Sequence, residues 1–195
     1  MDPIKIKYSD GNEDFILNGS ISGFKLIDFW SWAYSDFVNN TTRGVMAEFL
    51  VAAALGINLR KPRDAWAKFD INYRDVGVEV KSASYHQRWY QKRMSNINFN
   101  VPATRAWDEK TNIQDTESKR QAFMYVLCLL SEKDRERVNP LIIDQWKFWI
   151  VPTIFFDTRQ RSQHSITYNS LVSEVGNPVS FNEIKSLADS LIDSA

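Results

Sequence analysis

An uninterrupted apolar run from Ala122 to Leu130, AFMYVLCLL, has the length of a β-strand and contains no charged side chain. A strand that is covered on both faces has this continuous apolar pattern, whereas a half-exposed strand alternates. The run therefore predicts a strand at the centre of a sheet, with other elements packed on both of its faces.

The flanking segments supply those elements. Caps at Ser20 or Ser22 and an aromatic stripe predict a core-facing helix to about Val38. The other predicted elements are a helix from Thr41 or Thr42 to Leu55, ended by Gly56, a strand over 145–151, and a C-terminal helix from Ser180, with Glu183 completing a capping box. The order predicts an α/β fold with a mixed central β-sheet flanked by α-helices, in one domain spanning 1–195.

A β-hairpin is predicted between the second helix and the apolar run. Its strands cover 67–73 and 78–83 and are joined by a polar turn at 74–77. With a four-residue turn, Asp70 lies opposite Lys81, and Glu79 shares their face of the hairpin. Two carboxylates this close repel each other unless a cation lies between them, and Mg²⁺ prefers oxygen ligands.

Glu48 is the only charged residue between Gly44 and Leu59, so it has no ion-pair partner within its own helix. A buried carboxylate needs a cation, a metal or hydrogen-bond donors from elsewhere, because an isolated buried charge is costly. The alternative is that Glu48 points to solvent.

The ordered set of Glu48, Asp70, Glu79 and Lys81 resembles the active-site motif of the PD-(D/E)xK nuclease superfamily, over about 43–84. Phe69 stands where that motif usually has proline. The resemblance implies a restriction-endonuclease-like fold and a Mg²⁺-dependent deoxyribonuclease, an endonuclease, in which Mn²⁺ substitutes for Mg²⁺. It places the metal on Asp70, Glu79 and the Val80 backbone carbonyl, with Glu48 bound directly or through water, and makes Lys81 catalytic. The alternative is a catalytically inactive nucleic-acid-binding or assembly module of the same fold.

The charges are unevenly distributed although they sum to zero. The 28 residues of 80–107 contain no Asp or Glu and five bases, and the rest of the chain has a net charge of −5. A basic segment on an acidic body is typical of a protein that binds a polyanion at one place. Beyond Lys81, its candidate nucleic-acid-binding residues are Arg88, Lys92 and Arg93, at helical spacing, and Arg105. An ordinary solvated surface is the alternative.

The sequence lacks the residues that several other kinds of site and catalytic motif require. The single cysteine, Cys128, excludes an intramolecular disulfide. Together with the two histidines it provides only three ligands, too few for a four-ligand Cys/His zinc site. The chain has neither a Gly-rich phosphate loop nor a Gly-x-Ser-x-Gly motif. We expect a cytoplasmic protein without a membrane partner, because the N-terminus is unlike a secretory signal and no apolar run is long enough to span a bilayer. A homodimer is expected if both strands of a duplex are cut.

Overall fold

The computed structural model describes residues 4–160 and 164–195. The strands are β1 (Asp14–Leu17), β2 (Ser20–Lys25), β3 (Ile71–Tyr73), β4 (Val76–Ser84), β5 (Asn98–Asn100), β6 (Trp107–Asp108), β7 (Ile113–Gln114), β8 (Met124–Leu130), β9 (Trp146–Pro152) and β10 (Ser165–Thr167). The helices are α1 (Leu26–Tyr34), α2 (Asn40–Leu55), α3 (Thr153–Thr158), α4 (Tyr168–Glu174) and α5 (Ile184–Asp193), with short 3₁₀ turns at Ile143–Gln145 and Phe181–Glu183.

The central sheet has four strands in the order β3-β4-β8-β9. β4 and β8 are parallel, and the outer pairs are antiparallel. All seven residues of β8 are buried, as the continuous apolar run predicts. The mixed sheet and its flanking helices confirm the predicted α/β class.

The two faces of the sheet carry separate hydrophobic cores. Alternate residues of β8, beginning with Met124 and Val126, pack with α2 and α5. The intervening residues, such as Tyr125 and Leu127, pack with α3, α4, β5 and β10. β4 therefore has helix α2 over one face, and this positions the side chains described below.

The predicted α2 is confirmed with a small shift at its start. The cap is Asn39, whose side-chain oxygen accepts a hydrogen bond from Thr41 N, and not Thr41 or Thr42. Gly56 ends the helix with φ = 75°, a left-handed conformation that glycine adopts without strain. The C-terminal capping box of Ser180 and Glu183 is also present.

The helix predicted from Ser20 to Val38 is wrong at both ends, because 20–25 form strand β2 and α1 ends at Tyr34. Asn18 and Gly19 both have positive φ and form a tight turn that pairs Leu17 with Ser20. Asn-Gly is a strong hairpin signal, and here it prevails over the helical spacing of the aromatic residues. The aromatic stripe is also not part of the core: α1 has no buried residue, and Phe24 is 65% exposed.

No helix in the described part of the chain is long and apolar enough to cross a membrane.

Candidate active site

The hairpin of β3 and β4 turns through two residues, Arg74 and Asp75, which both have positive φ. Its pairs are Tyr73 with Val76 and Ile71 with Val78, so the predicted four-residue turn is wrong and the register is shifted by two. A shift of two leaves every side chain on its predicted face. When this register is continued by one residue, Asp70 lies opposite Glu79, whereas the four-residue turn predicted Lys81 at that place.

Asp70 is fixed at the open edge of β4, just before β3 begins. Its Oδ2 accepts a hydrogen bond of 2.7 Å from Val80 N. The N–H and C=O of one strand residue point to the same side of the strand, so the Val80 carbonyl faces the same edge. Asp70 and the Val80 carbonyl thus place two kinds of oxygen on this edge.

Glu79 carries unfavourable negative charge. Burial and then the charge of Asp70 raise its pKa, against the lowering effect of Lys81. Lys81 Nζ lies 2.6 Å from Glu79 Oε1, although the two side chains start two residues apart on the strand. The Glu-x-Lys tripeptide therefore forms a local ion pair beside Asp70.

Glu48, on α2, is the third carboxylate near Asp70 and Glu79, and we call these three side chains the carboxylate cluster. Its side chain is 15% exposed and binds Arg63 through two hydrogen bonds, from Nε at 2.6 Å and from Nη2 at 3.0 Å. Burial and the charge of Asp70 raise the pKa of Glu48, Arg63 opposes them, and Glu79 adds a smaller increase. Glu48 therefore does not point freely to solvent.

Arg63 is a site residue that the sequence analysis missed. It lies in the loop after α2, where helical spacing gives no information. The sequence signal for the pair is a lone helical carboxylate followed, about 15 residues later, by a loop rich in lysine and arginine. Pairing across such a loop depends on how the loop folds back. The sequence does not determine that.

The donor chemistry of the cluster fits a hard divalent cation. Asp70, Glu79 and Glu48 offer only oxygen ligands. Burial and then the charge of Asp70 raise the pKa of both glutamates, so a cation would offset the cost of burial and relieve the repulsion. In this structure, however, these three side chains are not close enough together to hold one ion, and neither is any other set of three Asp, Glu, His or Cys side chains among residues 4–160 and 164–195. Glu48 and Glu79 are instead engaged with Arg63 and Lys81.

The basic residues beyond Lys81 lie in an irregular segment, and the helical spacing inferred for Arg88, Lys92 and Arg93 is wrong. The segment loops back on itself, with Ser95 N donating to Tyr85 O at 2.9 Å. Arg88 pairs with Asp36 at 3.1 Å. Lys92, Arg93 and Arg105 are exposed, and none pairs with an acid among the described residues.

This loop has a fixed backbone, and the residues that fix it were not anticipated. Arg135, from the connection after β8, donates to the backbone oxygens of Gln87 and Trp89 and to Gln91 Oε1. Gln91 in turn accepts from Gln87 N at 2.6 Å. Residues 85–97 therefore form a braced loop that follows directly from β4 and presents Arg88, Lys92 and Arg93, whereas Arg105 lies beyond it.

A groove of about 790 Å³ opens beside the carboxylates. Its polar lining includes Glu48, Asp70 and Arg63, and its apolar lining includes Trp30 and Phe49. Two of the three carboxylates are thus reachable by a ligand much larger than a metal ion.

Comparison with known protein families identifies the group to which this arrangement belongs. The family model described as bacteriophage T4 endonuclease IV matches residues 31–168, a segment that contains the carboxylate cluster and the basic loop. The chain belongs to the bacteriophage T4 endonuclease IV family. Membership in this endonuclease family indicates a nuclease. No curated protein and no solved structure matches the chain.

Proposed function

We propose that the protein is a Mg²⁺-dependent endonuclease of the PD-(D/E)xK type that hydrolyses phosphodiester bonds in DNA. The observation that carries the proposal is the meeting of Asp70 with the Glu79–Lys81 pair at the edge of β4, inside the segment that matches an endonuclease family. A restriction-endonuclease-like fold is part of the proposal. The mixed sheet with α2 beside the hairpin supports it.

Hydrolysis adds water across a P–O bond, which leaves a phosphate monoester and a free hydroxyl group. Asp70, Glu79 and the Val80 carbonyl would hold Mg²⁺, with Glu48 bound directly or through water, and Mn²⁺ would substitute. When bound, the ion would neutralise charge on the phosphoryl oxygens and make water more acidic.

Lys81 would orient the attacking water and offset negative charge in the transition state. It is 34% exposed and held by Glu79, so its ammonium group stays at the cluster. The exposed cations Arg88, Lys92, Arg93 and Arg105 would bind the phosphate backbone. A homodimer is the expected assembly if the substrate is a duplex cut on both strands.

Cleavage of plasmid and single-stranded DNA, with Mg²⁺ or with EDTA, tests this function. We expect cleavage only with the metal, and its loss in Asp70→Ala and Lys81→Ala. The chain contains a matched control, since Glu183 and Lys185 form the same Glu-x-Lys tripeptide in the C-terminal region. Lys185→Ala should keep full cleavage, because Lys185 binds Tyr73 and Asp189 instead of the cluster.

A second candidate function is an inactive nucleic-acid-binding module, favoured by the ion pairs that already engage Glu48 and Glu79. It predicts salt-sensitive DNA binding that is indifferent to Mg²⁺ and to Asp70→Asn, without cleavage. Equal cleavage by the wild type and both Ala variants would reject the site, and binding without cleavage would favour the module.

A further inference from the structure

A second cavity, of about 380 Å³, lies beside the start of α2. Its lining comes from four places: α2, β4, the braced loop and the start of β5. The polar residues include Asn40 and Arg43 of α2, Ser82 and Ser84 of β4, Gln87 of the loop and Asn98 of β5. It contains no residue of the carboxylate cluster, and none of the described Asp and Glu residues lines it. Its polar lining is neutral apart from the one guanidinium group.

Arg43 is an unusual residue for this position, because its side chain is nearly fully enclosed and only 4% of the residue is exposed. Nη1 donates a long hydrogen bond of 3.3 Å to Val38 O, while Nε is buried without a partner. Arg43 forms no ion pair with any described acid. Burial lowers the pKa of its guanidinium group, which reflects the cost of an uncompensated charge.

A buried guanidinium group that lacks a carboxylate partner is stabilised when an anion binds to it, because the anion compensates its charge. The N-terminal end of α2, at which Arg43 lies, adds a positive potential from unpaired backbone N–H groups. Arg43 precedes Glu48 by five residues, or about 7.5 Å along the helix. The same separation turns Arg43 by about 140° around the helix axis relative to Glu48, so the cavity and the carboxylate cluster lie on different sides of α2.

We infer that this cavity is a phosphate-binding subsite in which Arg43 holds a backbone phosphodiester of the nucleic acid whose cleavage occurs at the carboxylate cluster. The inference rests on the proposed function. It adds an interior contact to the exposed cations of the braced loop, and it assigns that contact to a residue outside the acid-free segment.

The second unpartnered atom of the cavity is Gln87 Oε1, an acceptor. Its amide nitrogen is committed to Ser84 O and Ser95 Oγ, so the acceptor is held in place. A phosphodiester has no donor of its own at neutral pH. The subsite therefore takes the phosphate together with a water molecule that donates to Gln87, and the cavity has room for both.

Two titrations test the subsite on the full chain, with Arg43→Met as the variant that keeps the volume and removes the charge. Inorganic phosphate binding, measured by calorimetry, should be lost in Arg43→Met. Binding of a labelled DNA oligonucleotide in EDTA should weaken about tenfold, and the slope of log K against log salt should decrease in magnitude by about 0.7 to 0.9. The variant's melting temperature should equal or exceed that of the wild type, because an unpaired buried charge has been removed.

Arg74→Met is the control, since it removes the same charge at the turn that begins β4, whereas the cavity lies at the end of that strand. It should leave both titrations unchanged. If Arg43→Met is unstable, Arg43→Lys is used in its place. Loss of the bidentate guanidinium group should still weaken the binding of both phosphate and DNA. DNA binding that is identical in wild type and Arg43→Met, salt slope included, would overturn the subsite but not the nuclease. Phosphate binding through Arg43 without any DNA binding would overturn the backbone assignment and the nuclease together, and leave a site for free phosphate.

Discussion

At the scale of single residues, Arg63 governs the charge of Glu48. The guanidinium lowers the pKa of Glu48, while burial and Asp70 raise it. Arg63→Gln removes the lowering contribution, so the pKa of Glu48 rises further. If ionised Glu48 supports catalysis, the acid limb of the pH–rate profile should move to higher pH, with a larger loss of cleavage at pH 6 than at pH 8. Arg60→Gln, which changes a neighbouring exposed charge, should leave the profile in place, and an unshifted limb in Arg63→Gln would contradict the role of Glu48.

The charge of Asp70 destabilises the folded protein, because it repels the charges of Glu48 and Glu79. Folding raises the pKa of Glu48 and Glu79, so the folded protein binds protons more tightly than the unfolded chain, and the free energy of unfolding falls as the pH rises above 4.5. Burial is the larger cause of both raised pKa values and remains in Asp70→Asn, which removes only the contribution of the Asp70 charge. The Asn Oδ1 can still accept the hydrogen bond from Val80 N.

Without metal, we therefore expect Asp70→Asn to raise the melting temperature at pH 7 by about 2 °C, corresponding to roughly 1 kcal/mol. The gain should shrink toward pH 4, where the glutamates are protonated. Thermal melts in EDTA measure it. Glu117→Gln, an exposed change of equal charge, serves as the reference. A lower melting temperature for Asp70→Asn at pH 7 would show that Asp70 is a structural residue.

At the scale of elements, the contact between Gly77 of β4 and Phe69 holds the segment that carries Asp70. A Cβ on residue 77 would lie within 2.8 Å of atoms of the Phe69 ring, so Gly77 is required by close packing. Gly77→Ala should destabilise the protein by about 1–3 kcal/mol and reduce cleavage, since the ring and Asp70 must move together.

Denaturant unfolding and a cleavage assay on the single and double variants test this contact. Phe69→Ala should recover part of the stability lost in Gly77→Ala, which is a coupling between neighbours. Gly44→Ala is the matched control: it meets no atom within 4 Å, lies in α2, and should be neutral or stabilising. Additive effects of the two substitutions would contradict the packing argument.

Some elements could be predicted because their signals are local and mutually supportive. The all-apolar β8, the Gly56 end of α2 and the Ser180–Glu183 capping box each depend on a few adjacent residues. The β3–β4 turn was predicted at the right place but two residues too long. The β1–β2 hairpin was missed because turn chemistry prevailed over helical periodicity in β2. Arg63 and Arg43 could not be assigned, since their surroundings come from distant parts of the chain.

At the scale of the whole molecule, Asp189 links the C-terminal helix to the hairpin that carries the cluster. It accepts hydrogen bonds from Lys185 Nζ at 2.8 Å, Tyr73 Oη at 2.7 Å and Arg74 Nη1 at 3.1 Å. These partners, with Lys185 and then Tyr73 contributing most, hold the pKa of Asp189 far below its usual value. Helix α5 therefore fastens the end of the hairpin opposite to the candidate site.

A carboxyl group whose pKa is lowered on folding stabilises the protein above its unfolded value of 3.8, and that stabilisation is lost as the pH falls below it. Asp189→Asn should lower the melting temperature at pH 7, and the difference from wild type should decrease with acidification below 3.8. Its effect at pH 7 is opposite in sign to that of Asp70→Asn. Cleavage at a temperature where the variant is folded should persist, and its loss there would place Asp189 in the active site.

The central claim is that the carboxylates around Asp70 bind the catalytic metal. Titration calorimetry of Mg²⁺ into the wild type, Asp70→Asn and Glu117→Gln tests it most directly, with repeats in Mn²⁺ and in the presence of DNA. We expect binding in the wild type and in Glu117→Gln, and its disappearance in Asp70→Asn. Equal binding in all three proteins, or no binding to any of them under each condition, would contradict the metal site.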